Sequence, residues 1–316
     1  MRRNRRAVLW GALALALLCG CGGEQDASQR HSVALVVKST QSEFFRSVFA
    51  GAEAAAAEYN LELSIAGPET EEDYETQNRL IAEAVRAGAE AIVFSAIDAA
   101  AQAGLQIVTI DSSVDSDQVS TYIGTNNYAA GQMAADAVLD RVSGPLYVGV
   151  VNYDVSTANG QERERGASDA FAESGRAEIT AVVNTLTEAG RAQADTAALL
   201  TEHPEINVLL ALNEPTSVGA AQAVKALGRS EDVFFVGFDS NVVTVDGLQD
   251  GCVDALVVQN PYAMGYLGVE SAYQLLAGQG GALDETVDTS TRVVDRDNLF
   301  TLDSQKALFS FEEHLD

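Results

Sequence analysis

The sequence predicts an α/β protein of two lobes, each a parallel sheet flanked by helices, and three observations carry that expectation. Short apolar runs alternate with longer stretches whose apolar residues recur at helical spacing, the rhythm of β, α, β units in a parallel sheet. That rhythm runs along the chain twice, and 316 residues exceed what one core comfortably serves. Finally, four apolar runs end abruptly in polar residues: QIVTID at Asp111, INVLLALN at Asn213, VFFVGFDS at Asp239, and ALVVQN at Gln259 and Asn260. In open parallel sheets the ligand crevice lies beyond the C-terminal strand ends, so these residues are candidates for one shared site.

Taken in order, the chain opens with Arg2, Arg3, Arg5 and Arg6, then the apolar Ala7 to Leu18, then Cys-Gly-Cys-Gly-Gly. This is the layout of an export signal, and its apolar run is too short to span a bilayer. Leu18-Cys19-Gly20-Cys21 resembles the bacterial lipobox, which implies a signal peptide over residues 1–20 and acylation of Cys21. An ordinary secretory signal cut near Gly20 is the alternative, and either makes the protein exported. Residues 21–31 read as a tether, because Glu24 to His31 is polar and lacks apolar periodicity.

Ser32 to Val37 is expected to be a strand, followed by a loop Lys38 to Glu43 and a helix from Phe44 to Tyr59. A strand Leu61 to Ile65 precedes a helix Asp73 to Ala87, whose Leu80, Ile81, Ala84 and Val85 share a face and which stops at Gly88. Short strands follow at Ala91 to Phe94 and Gln106 to Ile110. The link Ala96 to Gln106 is short for a parallel crossover, which takes about a dozen residues or more, so its helix is expected to be stunted.

The rhythm then repeats with helices Ala129 to Leu139, Glu162 to Ser174, Arg191 to His203 and Thr216 to Leu227. Between and after them lie strands Leu146 to Val151, Glu178 to Val183, Asn207 to Leu212, Val233 to Asp239 and Asp254 to Val258, then a helix Ala263 to Leu276. The last third has too few strands for a domain of its own, so its pieces should complete the two earlier sheets. The expected division is residues 32–125 with 261–288 in an N-terminal lobe, and 126–260 with 289–316 in a C-terminal lobe.

Composition excludes several functions. The formal charge is -27, from 46 acidic against 19 basic residues, which argues against a nucleic-acid partner. Cys19, Cys21 and Cys252 make no disulfide framework. His31, His203 and His314 lie far from the strand tips, and no nucleophile elbow, phosphate loop or metal-ligand spacing occurs, so no enzyme, cofactor or metal is expected. Glu71, Glu72, Asp73 and Glu75 read as a solvated acidic run at a helix N-terminus, favoured by the dipole. Asn213 and Asp239 also suit helix caps.

The order VALVV, FF, TID, GTNNYAAG, RERG, ALNE, VGFDS and VVQNP, spread over nearly all of residues 33 to 295, resembles the sugar-binding branch of type I periplasmic solute-binding proteins, which includes the ribose-binding proteins. The resemblance implies two Rossmann-like lobes joined by a three-strand hinge, closing as a monomer on a sugar delivered to ABC permease subunits. The same lobes also present ligands to chemoreceptors or sensor kinases, whereas repressors that share them carry a helix-turn-helix, and none precedes Val33.

Residue by residue, the resemblance places Ser42, Phe44 and Phe45 in the first loop, whose aromatics stack on the sugar. It makes Asp111 the carboxylate for sugar hydroxyls and Arg165, the second arginine of RERG, the cationic donor, which leaves Arg163 solvated or ion-paired. Asn213, Asp239 and Gln259 match further polar ligands, Ser95 a strand-end Asn, and Thr125 and Asn127 the first hinge crossing. Two departures count against ribose itself: Ser112 stands where ribose binders have Arg, and Thr187 where they have an aromatic. A different sugar or a cyclitol is an equal expectation, with Tyr153 or Tyr262 as the replacement aromatic.

Overall fold

The computed structural model describes residues 30–96, 105–112, 114, 116–153 and 157–309. The leader with Cys21, the tether up to residue 29 and residues 97–104 of the short crossover lie outside the described residues. From His31 onward the chain is one compact unit. It begins with β1 (Ser32–Val36), α1 (Glu43–Glu58), β2 (Glu62–Ala66), α2 (Tyr74–Ala87), β3 (Ala91–Phe94), β4 (Gln106–Ile110) and β5 (Val119–Gly124). There follow α3 (Asn127–Leu139), β6 (Leu146–Asn152), α4 (Ala158–Ser174), β7 (Ala177–Asn184), α5 (Ala189–Glu202), β8 (Val208–Ala211), α6 (Glu214–Leu227) and β9 (Phe234–Phe238). The chain closes with α7 (Val242–Asp250), β10 (Ala255–Val258), α8 (Pro261–Leu276), β11 (Thr286–Asp288), β12 (Arg292–Asp295) and α9 (Leu302–Leu308).

These strands form two six-stranded sheets, ordered β11-β5-β4-β3-β1-β2 and β12-β10-β9-β8-β6-β7. All neighbours are parallel except β12, which runs antiparallel to β10. The inner strands β3, β8, β9 and β10 are apolar along their whole length because helices cover both faces. Val33 and Leu35 face one layer, with Val48, Ala52 and Met264, while Ala34 and Val36 face the other with Ile81 and Ile92. The second sheet is packed on both faces in the same way.

The chain passes between the sheets three times, after β5, after β10 and between β11 and β12, and the crossings are bonded to one another. The Thr289 amide donates to the Gly124 carbonyl at 2.7 Å, and Thr125 Oγ1 donates to Gln259 Oε1 at 2.8 Å. The Asn126 amide donates to Asp288 Oδ1 at 3.0 Å. A polar seam therefore ties the three connections where the two sheets meet.

Element by element, the sequence and the structure part at two helix starts, three strands and two short helices. Helix α4 begins at Ala158 instead of Glu162, and α6 at Glu214 instead of Thr216. Strands β5, β11 and β12 and helices α7 and α9 are not anticipated: β5 reads VSTYIG, with polar residues at positions that the sheet half-buries, and β11 has only three residues.

One packing feature fixes the second lobe. Helices α3 and α4 cross at paired glycines, where a Cβ on Gly131 would sit 2.1 Å from the Arg163 carbonyl and one on Gly166 2.0 Å from that of Tyr128. Backbones this close exclude any side chain. Gly131→Ala is expected to force the helices apart and cost about 1–3 kcal/mol as an overpacked core does, read as a lower urea midpoint at unchanged m-value.

Candidate functional site

The site grows from the C-terminal strand ends. Strand β1 runs on to Lys38, β3 to Ser95, β4 to Asp111, β6 to Tyr153, β8 to Asn213, β9 to Asp239 and β10 to Gln259. At two of these tips the backbone itself turns the side chain. Asp111 has φ 57° and Asp239 φ 63°, left-handed values that cost a non-glycine residue about 1–2 kcal/mol but that Asp tolerates better than most. The amide of each remains pinned to a neighbouring strand, Asp111 to the Ile123 carbonyl at 3.0 Å and Asp239 to that of Val257 at 2.9 Å.

Of the residues expected from sequence, Ser42, Phe44, Phe45, Asp111, Asn213, Asp239 and Gln259 line one narrow cleft between the lobes. Phe44 and Phe45 meet edge to face, their centroids 5.2 Å apart. Three others stand behind this lining and hold it. Ser95 donates to Asp111 Oδ2 at 2.7 Å, Thr125 bonds Gln259, and Asn127 Oδ1 accepts from Arg163 Nε at 2.9 Å. Asn213 is also the cap of α6, accepting from the Thr216 amide at 3.1 Å with its Oδ1.

The arginine assignment is corrected. Arg165 does not line the cleft; its guanidinium lies over the Tyr128 ring, 5.0 Å from the centroid. Arg163, expected to be solvated, is 2 % exposed and lines the cleft. Its Nη1 donates to the Leu212 carbonyl at 2.7 Å, and its charge rests over the Phe238 ring at 4.7 Å. The cause is the register of α4: Asn159, Arg163, Ala167 and Phe171 follow one another at four-residue steps along its buried face, and Arg165 points the other way. That stripe is visible in the sequence once the helix starts at Ala158.

Four more lining residues were missed or misjudged. Lys38 ends β1 as Asp111 ends β4, and it is nearly fully buried. Its ammonium donates to Asp111 Oδ2 at 3.0 Å and Ser112 Oγ at 3.1 Å and lies 3.4 Å from Glu71 Oε2. Burial alone would lower its pKa, but Asp111 and Glu71 more than offset that and raise it. Glu71 is therefore not part of a solvated run, and burial raises its own pKa. Within that run Asp73 does cap α2. Asn159 and Glu214 also line the cleft, beside Pro215. Tyr153, one of the two suggested aromatics, lines the cleft with its hydroxyl unbonded; Tyr262 is exposed on α8.

Bonds between the lobes close the cleft. Ser42 Oγ donates to Glu214 Oε2 at 2.7 Å and Asn159 Nδ2 to Ser112 Oγ at 3.2 Å. At the rim, the Thr187 amide donates to Glu72 Oε1 at 2.8 Å, and the Thr187 hydroxyl donates to the same oxygen. Thr187 thus serves as the partner of a carboxylate on the other lobe.

A family profile described as a periplasmic binding protein domain matches residues 33–280. The chain belongs to this family, in its type I sugar-binding branch. A D-ribose/D-allose-binding protein of Pseudomonas aeruginosa is 29% identical over 84% of this chain and 91% of its own. A solute-binding protein of Agrobacterium vitis with bound D-fucose has a TM-score of 0.83 at 26% identity, covering 88% of this chain and all of the other. One of Agrobacterium radiobacter in complex with D-arabinose shares the fold, with a TM-score of 0.84 at 24% identity over 90% of this chain and all of the other.

The geometry of this binding protein yields two expected outcomes. Burial pushes the Asp239 carboxyl from 3.8 up to about 6, against the pull of Arg163 and Gln259. The folded protein thus holds that proton more tightly than the unfolded chain, so this group's contribution is greatest below pH 4 and is lost as pH climbs through 6. In urea unfolding, the stability of wild type relative to Asp239→Asn should fall by on the order of 3 kcal/mol between pH 4 and 7. Glu72→Ala, which removes the acceptor of both Thr187 bonds, should enlarge the scattering radius of the free protein, with little change in its far-ultraviolet circular dichroism.

Proposed function

We propose that this protein is the extracytoplasmic solute receptor of an ABC importer and takes a monosaccharide or closely related polyol between its lobes. The observation that carries this is the set of hydrogen-bonding groups that line the cleft with no partner among the described residues. Three are acceptors: Asp111 Oδ1, Asp239 Oδ2 and Glu71 Oε1. Three are donors: Arg163 Nη2, Asn213 Nδ2 and the Tyr153 hydroxyl. A ring of vicinal hydroxyls, each donor and acceptor at once, answers both kinds, while Phe44 and Phe45 offer faces to its C–H side.

A relative named for binding D-ribose and D-allose, and a similar solute-binding protein with D-fucose bound, support this class of ligand. The Cys21 lipobox supports a mature chain held to the outer face of a membrane by lipid, near the permease. Closure then follows from desolvation: buried charges such as Arg163 and Asp111 are costly until their remaining valences are met, and the ligand meets them fully only when the lobes come together.

Calorimetric titration with D-ribose, D-allose, D-arabinose, D-fucose and myo-inositol tests the reading. At least one should bind with contraction of the scattering radius. For that ligand Arg163→Ala should cost about 2–4 kcal/mol of binding through the partners left unpaired, and Arg165→Ala less than about 0.5 kcal/mol as a surface change. Equal losses at the two arginines, or binding with no contraction, would count against it.

A further inference from the structure

The cleft holds more carboxylates than cations. Glu71, Asp111, Glu214 and Asp239 line it, against Lys38 and Arg163, an excess of two acids in a place largely shielded from water. Both cations are mostly committed to the protein. Lys38 faces Asp111, Ser112 and Glu71, which matches its three protons, and Arg163 has given two of its groups to Asn127 and Leu212. Glu214 is also satisfied, by Ser42 and Asn241. What stays open is the three carboxylate oxygens on Glu71, Asp111 and Asp239. These acids feel one another, since Asp111 and Glu71 both help to raise the Asp239 pKa. No cluster of acidic, His or Cys side chains among the described residues is arranged to hold a metal ion that would balance them.

We infer that the preferred ligand is a monosaccharide carrying a protonated amine, whose ammonium supplies the charge and the donors that the cleft lacks. An ammonium has three donors and no acceptor, and it is the group best matched to an excess of carboxylate oxygen. A neutral sugar brings hydroxyls but no charge, and a sugar acid adds a further negative charge. The inference rests on the sugar reading above and narrows it. Glu71 is its specificity-determining residue, because its Oε1 and charge lie outside the lining that the strand tips alone supply.

Matched pairs make the test at pH 7 with the full chain: D-glucose against D-glucosamine, D-galactose against D-galactosamine, and N-acetyl-D-glucosamine as a control that keeps the substituent and removes its charge. In at least one pair the amine should bind about tenfold or more tightly than its neutral parent, a preference that a single desolvated charge contact sustains. The acetylated control should lose that gain, and Glu71→Gln should shrink the ratio of amine to neutral affinity at least about fivefold. If neutral sugars bind and no amine surpasses its parent, the inference is overturned while the sugar reading stands. An unchanged ratio in Glu71→Gln overturns it as well. If neither neutral sugars nor amines bind, the sugar reading has failed and this inference with it.

Discussion

A guanidinium taken out of water dictates the arrangement of the second lobe. Arg163 is buried at the floor of the cleft, and a charge so placed is tolerable only if protein groups replace much of its lost hydration. Those partners come from three directions: Asn127 at the start of α3, the Leu212 carbonyl just beyond β8, and the Phe238 ring at the end of β9. The paired glycines of α3 and α4 let the helices approach closely enough for Asn127 and Arg163 to meet. Helix contact, strand order and site geometry are thus one constraint.

The first lobe answers with the opposite charge. Asp111 is held from behind by Ser95 and from the side by Lys38, which also faces Glu71. Closing the lobes brings these acids towards Asp239 and Glu214, so the cleft is a place where several carboxylates share little solvent. Two devices keep that bearable. Lys38 and Arg163 spread positive charge through the cluster, and the acids that burial affects most, Asp239, Glu71 and Glu214, all have raised pKa values.

What the sequence revealed of the site follows from how each residue is announced. Asp111, Asn213, Asp239 and Gln259 are legible because an apolar strand ends on them, and the parallel-sheet rule says where such ends point. Lys38 stands in the same position after SVALVV, yet a lone lysine there reads as solvated loop. Glu71 is hidden by the acids around it, since the run as a whole looks like helix dipole chemistry and only tertiary structure separates Glu71 from Asp73. The two arginines of RERG are two residues apart and therefore on different sides of a helix, so the choice hangs on where α4 begins. Thr157 precedes that helix without a side-chain cap, and nothing local signals the start. The fold itself was more legible, because the central strands are continuous apolar runs. What escaped was β5, whose polar residues break the apolar run, the short edge strands β11 and β12, and the short helices α7 and α9.

The rim bonds between Glu72 and Thr187 bear on time as well as on shape. Bonds that the lobes make with each other do not depend on what lies between them, so part of the free energy of the shut form belongs to the protein alone. A molecule inside must wait for those bonds to break before it departs, and one outside that meets the shut fraction of the free protein must wait for the same event before it enters. Both rate constants then carry the opening step as a common factor, so strengthening the rim slows exchange in both directions more than it alters the equilibrium. A receptor built this way trades speed of sampling for length of retention, and a handful of polar side chains at its lip sets the balance.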